Sequence, residues 1–121
     1  MSSRAVILFA HGAREAEWAR PFEKVRDSLR SEGLRVELAY LEIMTPSLED
    51  AARVLVAEGV KMVTVVPLFL AQGNHLKQQL PERVAALRRD NASTEFRVMS
   101  ALGDEPEVLA AITAWAKRVA R

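Results

Sequence analysis

Apolar residues occur along the chain in four near-continuous runs, which predict four buried β-strands. The runs are Ala5–Ala10, Arg35–Leu41, Met62–Leu70 and Phe96–Leu102. Runs without strict alternation are typical of strands covered on both faces, because both sides of such a strand then meet apolar side chains. The third run is also rich in Val and Thr, whose branched side chains favour strands. The pattern therefore predicts a parallel sheet.

The segments that follow the first two runs have the pattern of amphipathic helices. In the first helix, apolar residues recur at spacings of three and four, which places them on one face. These residues are Trp18, Phe22, Val25 and Leu29. Gly33 stands where the C-cap of this helix is expected. In the second helix, Thr45 is the expected N-cap and Pro46 the expected first residue, and Gly59 is expected to end it.

Two further helices follow the third and fourth runs. The third is marked by a stripe of apolar residues, Leu76, Leu80, Val84 and Leu87. Pro81 falls inside this stripe, so we expect the helix to bend or to begin again there. The last helix is expected from about Glu105 to Val119, with Leu109, Ile112 and either Trp115 or Ala116 facing the core.

The order of these elements defines the fold class. Strands that alternate with helices imply right-handed crossovers and a parallel sheet. We therefore expect an α/β protein with one flavodoxin-like domain, in which helices flank a four-stranded parallel sheet. A length of 121 residues suits a single domain spanning residues 1–121.

Composition excludes several classes of function. Lys and Arg number 17 against 16 Asp and Glu, for a net charge of +1, which argues against a nucleic-acid-binding surface. The chain has no cysteine, so disulfides, thiolate metal sites and cysteine nucleophiles are excluded. Its most apolar stretch, 62–71, is about half the roughly 20 residues that a membrane-spanning helix needs. We therefore expect no membrane association and a cytoplasmic location.

Candidate chemistry collects after the predicted strands, at the edge of the sheet where open α/β proteins bind ligands. His11 follows the first strand, Glu42 ends the second, and His75 follows the third; the chain has only these two histidines. The three residues are about one βα unit apart in sequence, so adjacent strands are expected to bring them together. Imidazole suits cobalt, nickel, iron or zinc, and a carboxylate can complete a metal site or accept a proton.

Each of these residues also has an ordinary structural explanation. A single histidine at a strand end is commonly a hydrogen-bonded loop residue, and a glutamate there is commonly solvated. Arg14 and Lys77 are explained equally well as surface charges, and Gly12 and Gly73 as tight turns at positive φ. The sequence lacks a dinucleotide-binding glycine motif, a Walker phosphate loop and a nucleophile elbow.

Four motifs together resemble the short sirohydrochlorin chelatases, which are class II chelatases. They are the strand with His-Gly-x-Arg (6–14), the second strand ending in Glu with Thr-Pro-Ser-Leu (36–48), the segment VPLFL-x-x-G-x-H (66–75), and the Leu-Gly turn (102–103). The resemblance implies ATP-independent insertion of cobalt, iron or nickel into sirohydrochlorin, with no nucleotide cofactor. It implies that His11 and His75 handle the metal and that Glu42 relays protons. Arg14 and Lys77 would then hold the carboxylates of the substrate rim.

The resemblance also bears on the number of subunits. Longer members of the family contain two such α/β halves facing across a cleft, whereas this chain supplies one. We therefore expect a homodimer that holds the flat ring between its protomers.

Two other hypotheses about the function of the protein remain open. Ala13 stands where the family motif has serine, which motivates a non-catalytic carrier of metal or tetrapyrrole. A flavodoxin-like domain that joins subunits and binds no ligand is the third.

Overall fold

The computed structural model describes residues 3–121, in which strands and helices alternate as predicted. The strands are β1 Arg4–Ala10, β2 Val36–Tyr40, β3 Met62–Pro67 and β4 Glu95–Val98, and the helices are α1 Arg20–Ser31, α2 Leu48–Ala57, α3 Asn74–Asp90 and α4 Pro106–Val119. Short 3₁₀ turns precede α1 at Ala16–Ala19 and α4 at Leu102–Asp104. Met1 and Ser2, which the predicted 1–121 domain includes, lie outside the described residues.

The four strands form one sheet in the order β2-β1-β3-β4, and every neighbouring pair is parallel. This confirms the predicted four-stranded parallel sheet. From β1 the chain passes to β2 on one side of β1, and it then crosses to β3 on the other side of β1. The direction of winding therefore reverses between β1 and β3. In open α/β sheets the crevice at the carboxyl ends of such strands is the usual ligand site.

The core is divided between the two faces of the sheet. Helices α2 and α3 cover one face, where the largest fully buried side chains include Ile7, Phe9, Leu55, Val63, Val65, Val84 and Phe96. Helix α1 covers part of the other face, where Leu8, Val36, Leu38 and Tyr40 are buried with Trp18, Phe22 and Leu29 packed against them. Val25 was expected on the same stripe, but its side chain is 46% exposed.

The start of α2 differs from the prediction. Its N-cap is Ser47, whose hydroxyl accepts a hydrogen bond from the Asp50 N–H at 3.1 Å. Thr45 and Pro46 lie before the helix because the Pro46 carbonyl accepts the Tyr40 N–H at 2.9 Å, which holds this segment beside β2. Gly33 and Gly59 lie just beyond the ends of α1 and α2 at φ of 87° and 86°, as expected of glycines that terminate helices.

Pro81 does not interrupt α3, which is one helix from Asn74 to Asp90. Proline removes one backbone N–H, which leaves the carbonyl of Lys77 without its helical donor. Both residues are exposed, so water can satisfy that carbonyl. Of the two expected outcomes at Pro81, the new helix start is therefore wrong, and the bend stays a prediction.

Helix α4 departs most from the prediction. Leu109, Ile112 and Trp115 were expected in the core, but they are 45%, 42% and 58% exposed, Ala116 is exposed too, and no residue of α4 is buried. The helix is held at its start by the turn Leu102–Asp104 and does not cover the sheet. Among residues 3–121, no helix has the length and hydrophobicity needed to cross a bilayer.

Candidate metal-handling site

Backbone contacts at the ends of β1 and β2 bring His11 and Glu42 together. The Leu41 N–H donates to the Ala10 carbonyl at 2.8 Å, and the Glu42 N–H donates to the His11 carbonyl at 3.1 Å. The pairing of the two strands thus continues past their ends, to His11 after β1 and to Glu42 after β2. It places both side chains at the carboxyl edge of the sheet.

Gly12 makes this close approach possible. Its φ is +98°, and a Cβ atom built on it would lie 2.0 Å from the carbonyl oxygen of Glu42. A side chain there would collide with rigid backbone, so only glycine fits. Gly73, which was also expected at positive φ, instead has φ of −69° and serves as the N-cap residue of α3. The turn expectation is therefore confirmed for Gly12 and wrong for Gly73.

The two side chains form an open imidazole–carboxylate pair. His11 Nε2 lies 3.3 Å from Glu42 Oε1, and the side chains are 53% and 55% exposed. The pair is therefore accessible to a ligand arriving from solvent. With Nε2 facing Glu42, the Nδ1 atom is the ring nitrogen left for a metal ion or a proton.

Two buried aromatic residues link the His11 imidazole to the core. The buried Phe69 ring meets the imidazole edge to face, with centroids 6.3 Å apart and an interplanar angle of 80°. Phe9 contacts Phe69 in the same way at 5.9 Å. The Arg83 guanidinium lies 5.5 Å from the Phe9 ring centre and pairs with Glu49 of α2. Hydrogen bonding to Arg83 lowers the pKa of Glu49. A continuous set of contacts therefore joins the α2–α3 ion pair to His11.

His75 does not join this pair in a metal-binding group. It is the second residue of α3 and its side chain is exposed. Within residues 3–121, no three His, Cys, Asp or Glu side chains lie close enough to hold a metal ion. The expected convergence of His11, Glu42 and His75 is therefore found for the first two only.

The two predicted substrate-binding cations are both exposed. Arg14 lies in the loop after β1. Lys77 lies in the first turn of α3 beside a cavity of about 350 Å³, which Leu76, Leu80, Ala101 and Asp104 also line. Because α3 begins at the carboxyl edge of the sheet, Lys77 lies at the same end of the molecule as the His11–Glu42 pair.

Sequence reasoning missed two apolar residues at this edge. Ile43 follows Glu42 directly and is 62% exposed, and Leu70 follows Phe69 and is 64% exposed. Ile43 also has a φ of 69°, which is uncommon for a β-branched residue. No signal in the sequence distinguished these two residues from the core, because an apolar residue near a strand end is ordinarily counted as buried, and Leu70 was included in the third predicted strand. Exposed apolar surface of this kind suits a flat organic ligand.

The fold and the site define the class of the protein. It is an open parallel α/β protein whose exposed imidazole–carboxylate pair lies at the ligand-binding edge, next to apolar surface. The family model for CbiX matches residues 5–119. The chain therefore belongs to the CbiX family.

Curated relatives and solved structures agree with this family. The chain is 32% identical to a sirohydrochlorin cobaltochelatase of Sulfurisphaera tokodaii, over 69% of each chain. It is 31% identical to that of Saccharolobus islandicus, over 88% of this chain and 78% of the relative. The crystal structure of a CbiX protein from Marinobacter aquaeolei VT8, provisionally assigned to cobalamin (vitamin B12) biosynthesis, has 33% identity and a TM-score of 0.84 over 95% of both chains.

A longer protein shares the same fold. It is the sirohydrochlorin chelatase SirB from Bacillus subtilis subspecies spizizenii, solved in complex with cobalt. The TM-score is 0.79 at 24% identity, and the match covers 100% of this chain but only 52% of SirB. This chain therefore corresponds in length to about half of that protein.

Proposed function

We propose that this protein, as a single domain of residues 1–121, inserts cobalt or iron into sirohydrochlorin without a nucleotide. The observation that carries the proposal is the contact of His11 Nε2 with Glu42 Oε1 at 3.3 Å, open to solvent at the ligand-binding edge of the sheet. Membership of the CbiX family and the cobaltochelatase names of the relatives support the same activity. Nickel is a further candidate because it too accepts imidazole ligands.

The chemistry of metallation assigns a role to each member of the pair. A divalent ion enters the ring as two pyrrole N–H protons leave, so the enzyme must accept protons beside an incoming cation. Neutral imidazole does this near neutral pH. Glu42, in contact with the opposite nitrogen of His11, fixes the imidazole orientation and passes the proton on to solvent. The ring nitrogens of the substrate provide the acceptor site for the ion, so no closed cage of protein ligands is required.

The remaining proposed roles concern the substrate. Arg14 and Lys77 are exposed cations that can pair with the carboxylates of the sirohydrochlorin rim. Ile43 and Leu70 offer apolar surface to the face of the ring. His75 delivers the ion from the start of α3, where its side chain is exposed.

We further propose that two protomers hold one macrocycle between them, in the cytoplasm. The apolar surface at the edge is small for a wide ring, and a second copy would cover the other face.

The test is the spectral change of sirohydrochlorin with Co²⁺, Fe²⁺ or Ni²⁺, followed with and without protein. We expect acceleration by the wild type and a loss of at least tenfold in His11→Ala, His75→Ala and Glu42→Gln. Glu95→Gln is the matched control, since this exposed carboxylate begins β4 at the opposite edge of the sheet. Equal rates with and without wild-type protein would refute the proposal. Binding of sirohydrochlorin without acceleration would replace it with the carrier function that Ala13 motivates.

A further inference from the structure

The segment after β2 contains a strained three-residue turn. The Met44 N–H donates to the Glu42 carbonyl at 2.7 Å, which closes a γ-turn with Ile43 at its centre. Ile43 has a φ of 69°, and a γ-turn with positive φ at its centre is the rare, strained form. Asn and Gly tolerate positive φ, whereas a β-branched residue there is an outlier. The turn therefore carries a residue type that its own backbone disfavours.

Both ends of this turn are tied to the sheet. On one side, the Glu42 N–H donates to the His11 carbonyl at 3.1 Å; on the other, the Pro46 carbonyl accepts the Tyr40 N–H at 2.9 Å. Met44, directly after the turn, packs against the buried cluster that includes Tyr40. A strained conformation persists only when its surroundings over-determine it, and these contacts supply that constraint.

The strained residue does not repay its strain by packing in the core. The Ile43 side chain is largely exposed, so folding removes little of its apolar surface from water. It directly follows Glu42, whose carboxylate contacts His11. Backbone strain of this kind clusters at ligand-binding and active sites. The combination of strain, exposure and position therefore indicates a contact made with a ligand.

The order of the strands places a second exposed apolar residue on the other side of His11. Ile43 follows β2, His11 follows β1 and Leu70 follows β3, and β1 lies between the other two strands. At about 4.8 Å between neighbouring strands, β2 and β3 are about 10 Å apart. A flat ring that rests on Ile43 and Leu70 therefore lies across the His11–Glu42 pair, with its centre near the imidazole.

We infer that Ile43 is a substrate-contacting residue, which its strained turn holds against the face of the sirohydrochlorin ring beside the His11–Glu42 pair. The inference rests on the proposed function for the identity of the ring. The strained turn fixes how far the side chain projects from the sheet edge, and so fixes the position of the ring above His11. Folding and binding thus make opposite demands on this position: relief of the strain stabilises the fold, and loss of the apolar side chain weakens binding.

Three substitutions of Ile43 separate the strain from the contact. Ile43→Leu keeps the apolar surface without the β-branch. Ile43→Thr keeps the β-branch but loses much of the apolar surface, and Ile43→Asn both tolerates positive φ and removes the apolar surface. The matched control is Leu34→Asn, which changes a half-exposed apolar residue in the loop before β2, at the opposite edge of the sheet.

The measurements are urea unfolding and an equilibrium titration with metal-free sirohydrochlorin, followed by the quenching of tryptophan fluorescence. We expect the Kd to rise about tenfold in Ile43→Thr and Ile43→Asn, since each loses an apolar contact with the ring. Binding should be unchanged in Ile43→Leu and in Leu34→Asn. The urea midpoint of Ile43→Asn should be higher than those of the wild type and of Ile43→Thr, because only Asn suits the backbone of the turn.

Folded Thr and Asn variants that bind sirohydrochlorin as tightly as the wild type would overturn the inference. So would a urea midpoint of Ile43→Asn no higher than that of Ile43→Thr. The metallation assay on the same samples reports the proposed function separately. Acceleration by the wild type with unchanged binding in the variants overturns only the inference, whereas binding that depends on Ile43 without acceleration overturns only the proposed function. A wild type that does not bind sirohydrochlorin overturns both.

Discussion

At the scale of single residues, the candidate site depends on backbone as much as on its side chains. His11 and Glu42 face each other because the segments after β1 and β2 approach more closely than any residue with a Cβ would allow. Gly12 is the residue that permits this approach. The glycine is therefore a positioning residue for the imidazole–carboxylate pair, although it has no side chain to offer a ligand.

We expect Gly12→Ala to destabilise the protein and to abolish metallation. The new Cβ must displace the Glu42 carbonyl, in addition to the strain of about 1–2 kcal/mol that a side chain suffers at positive φ. Gly33→Ala separates the two effects, because Gly33 also has positive φ but has no atom within 4 Å of its Cβ position. Urea unfolding and the metallation assay should show a larger stability loss for Gly12→Ala, with activity preserved in Gly33→Ala. Equal losses in both variants would mean that close approach at Gly12 is unimportant.

The sequence predicted part of this site, for a clear physical reason. In parallel sheets the carboxyl ends of neighbouring strands meet at one edge, so residues ending β1 and β2 had to be neighbours. His75 lies in α3, eight residues after the end of β3 at Pro67, where strand register no longer controls position. The exposure of Ile43 and Leu70 could not be predicted either, because an apolar residue near a strand end is ordinarily counted with the core.

At the scale of elements, an ion pair joins the two helices beneath the site. Arg83 of α3 donates to both carboxylate oxygens of Glu49 of α2, and its guanidinium lies over the ring of Phe9. The Glu49 side chain is 41% exposed, so the pair contributes about 1 kcal/mol or less. Arg83 of the ion pair nevertheless contacts Phe9, which packs against Phe69. Phe69 in turn contacts the His11 imidazole, so the packing of α2 and α3 is linked to the candidate site.

This ion pair predicts an acid-dependent loss of stability. Hydrogen bonding to Arg83 lowers the pKa of folded Glu49 below its usual 4.5. The pair therefore stabilises the fold above about pH 4.5, and its contribution is lost as the pH falls through the lowered pKa. We expect Glu49→Gln to reduce the free energy of unfolding at pH 7 and to differ progressively less from wild type below pH 4.5. Urea unfolding at several pH values measures this.

The control for this prediction is Glu82→Gln, which removes an exposed carboxylate from the same helix as Arg83. Its difference from wild type should be small at pH 7. A Glu49→Gln difference that persists unchanged at pH 3 would show that the charge of Glu49 is not the cause of the stabilisation.

Element boundaries followed local sequence signals only where tertiary contacts did not compete. Gly33 and Gly59 end their helices as predicted because helix termination is a local property of the backbone. The expected cap at Thr45 failed because β2 captures the Pro46 carbonyl, a contact between segments that helix-capping preferences do not include. Capping residues in the sequence therefore predict that a helix begins nearby, but they do not predict its first residue.

At the scale of the whole molecule, the hydrophobic pattern of α4 raises two questions. One is whether the segment forms a helix with one apolar face, and the other is which surface buries that face. The spacing of Leu109, Ile112 and Trp115 correctly indicates a helix with one apolar face, and the structure has that helix. The pattern also indicates that the face is buried, but periodicity cannot specify whether the burying surface belongs to the same chain. The prediction that Leu109, Ile112 and Trp115 enter their own core failed on this second question.

If the apolar face of α4 is buried in the proposed homodimer, folding and association are linked. Mass action then stabilises the folded dimer as the protein concentration rises, whereas the stability of a monomer does not depend on concentration. We expect the thermal midpoint of the wild type to increase between 1 and 100 μM protein, and that of Ile112→Glu to be lower and constant. Ala110→Glu should follow the wild type, because its new charge lies on the opposite side of the helix from Ile112, about 160° away at about 100° per residue. A wild-type midpoint independent of concentration across this range, together with a monomeric mass, would mean that the apolar face of α4 is stable in water without a second copy.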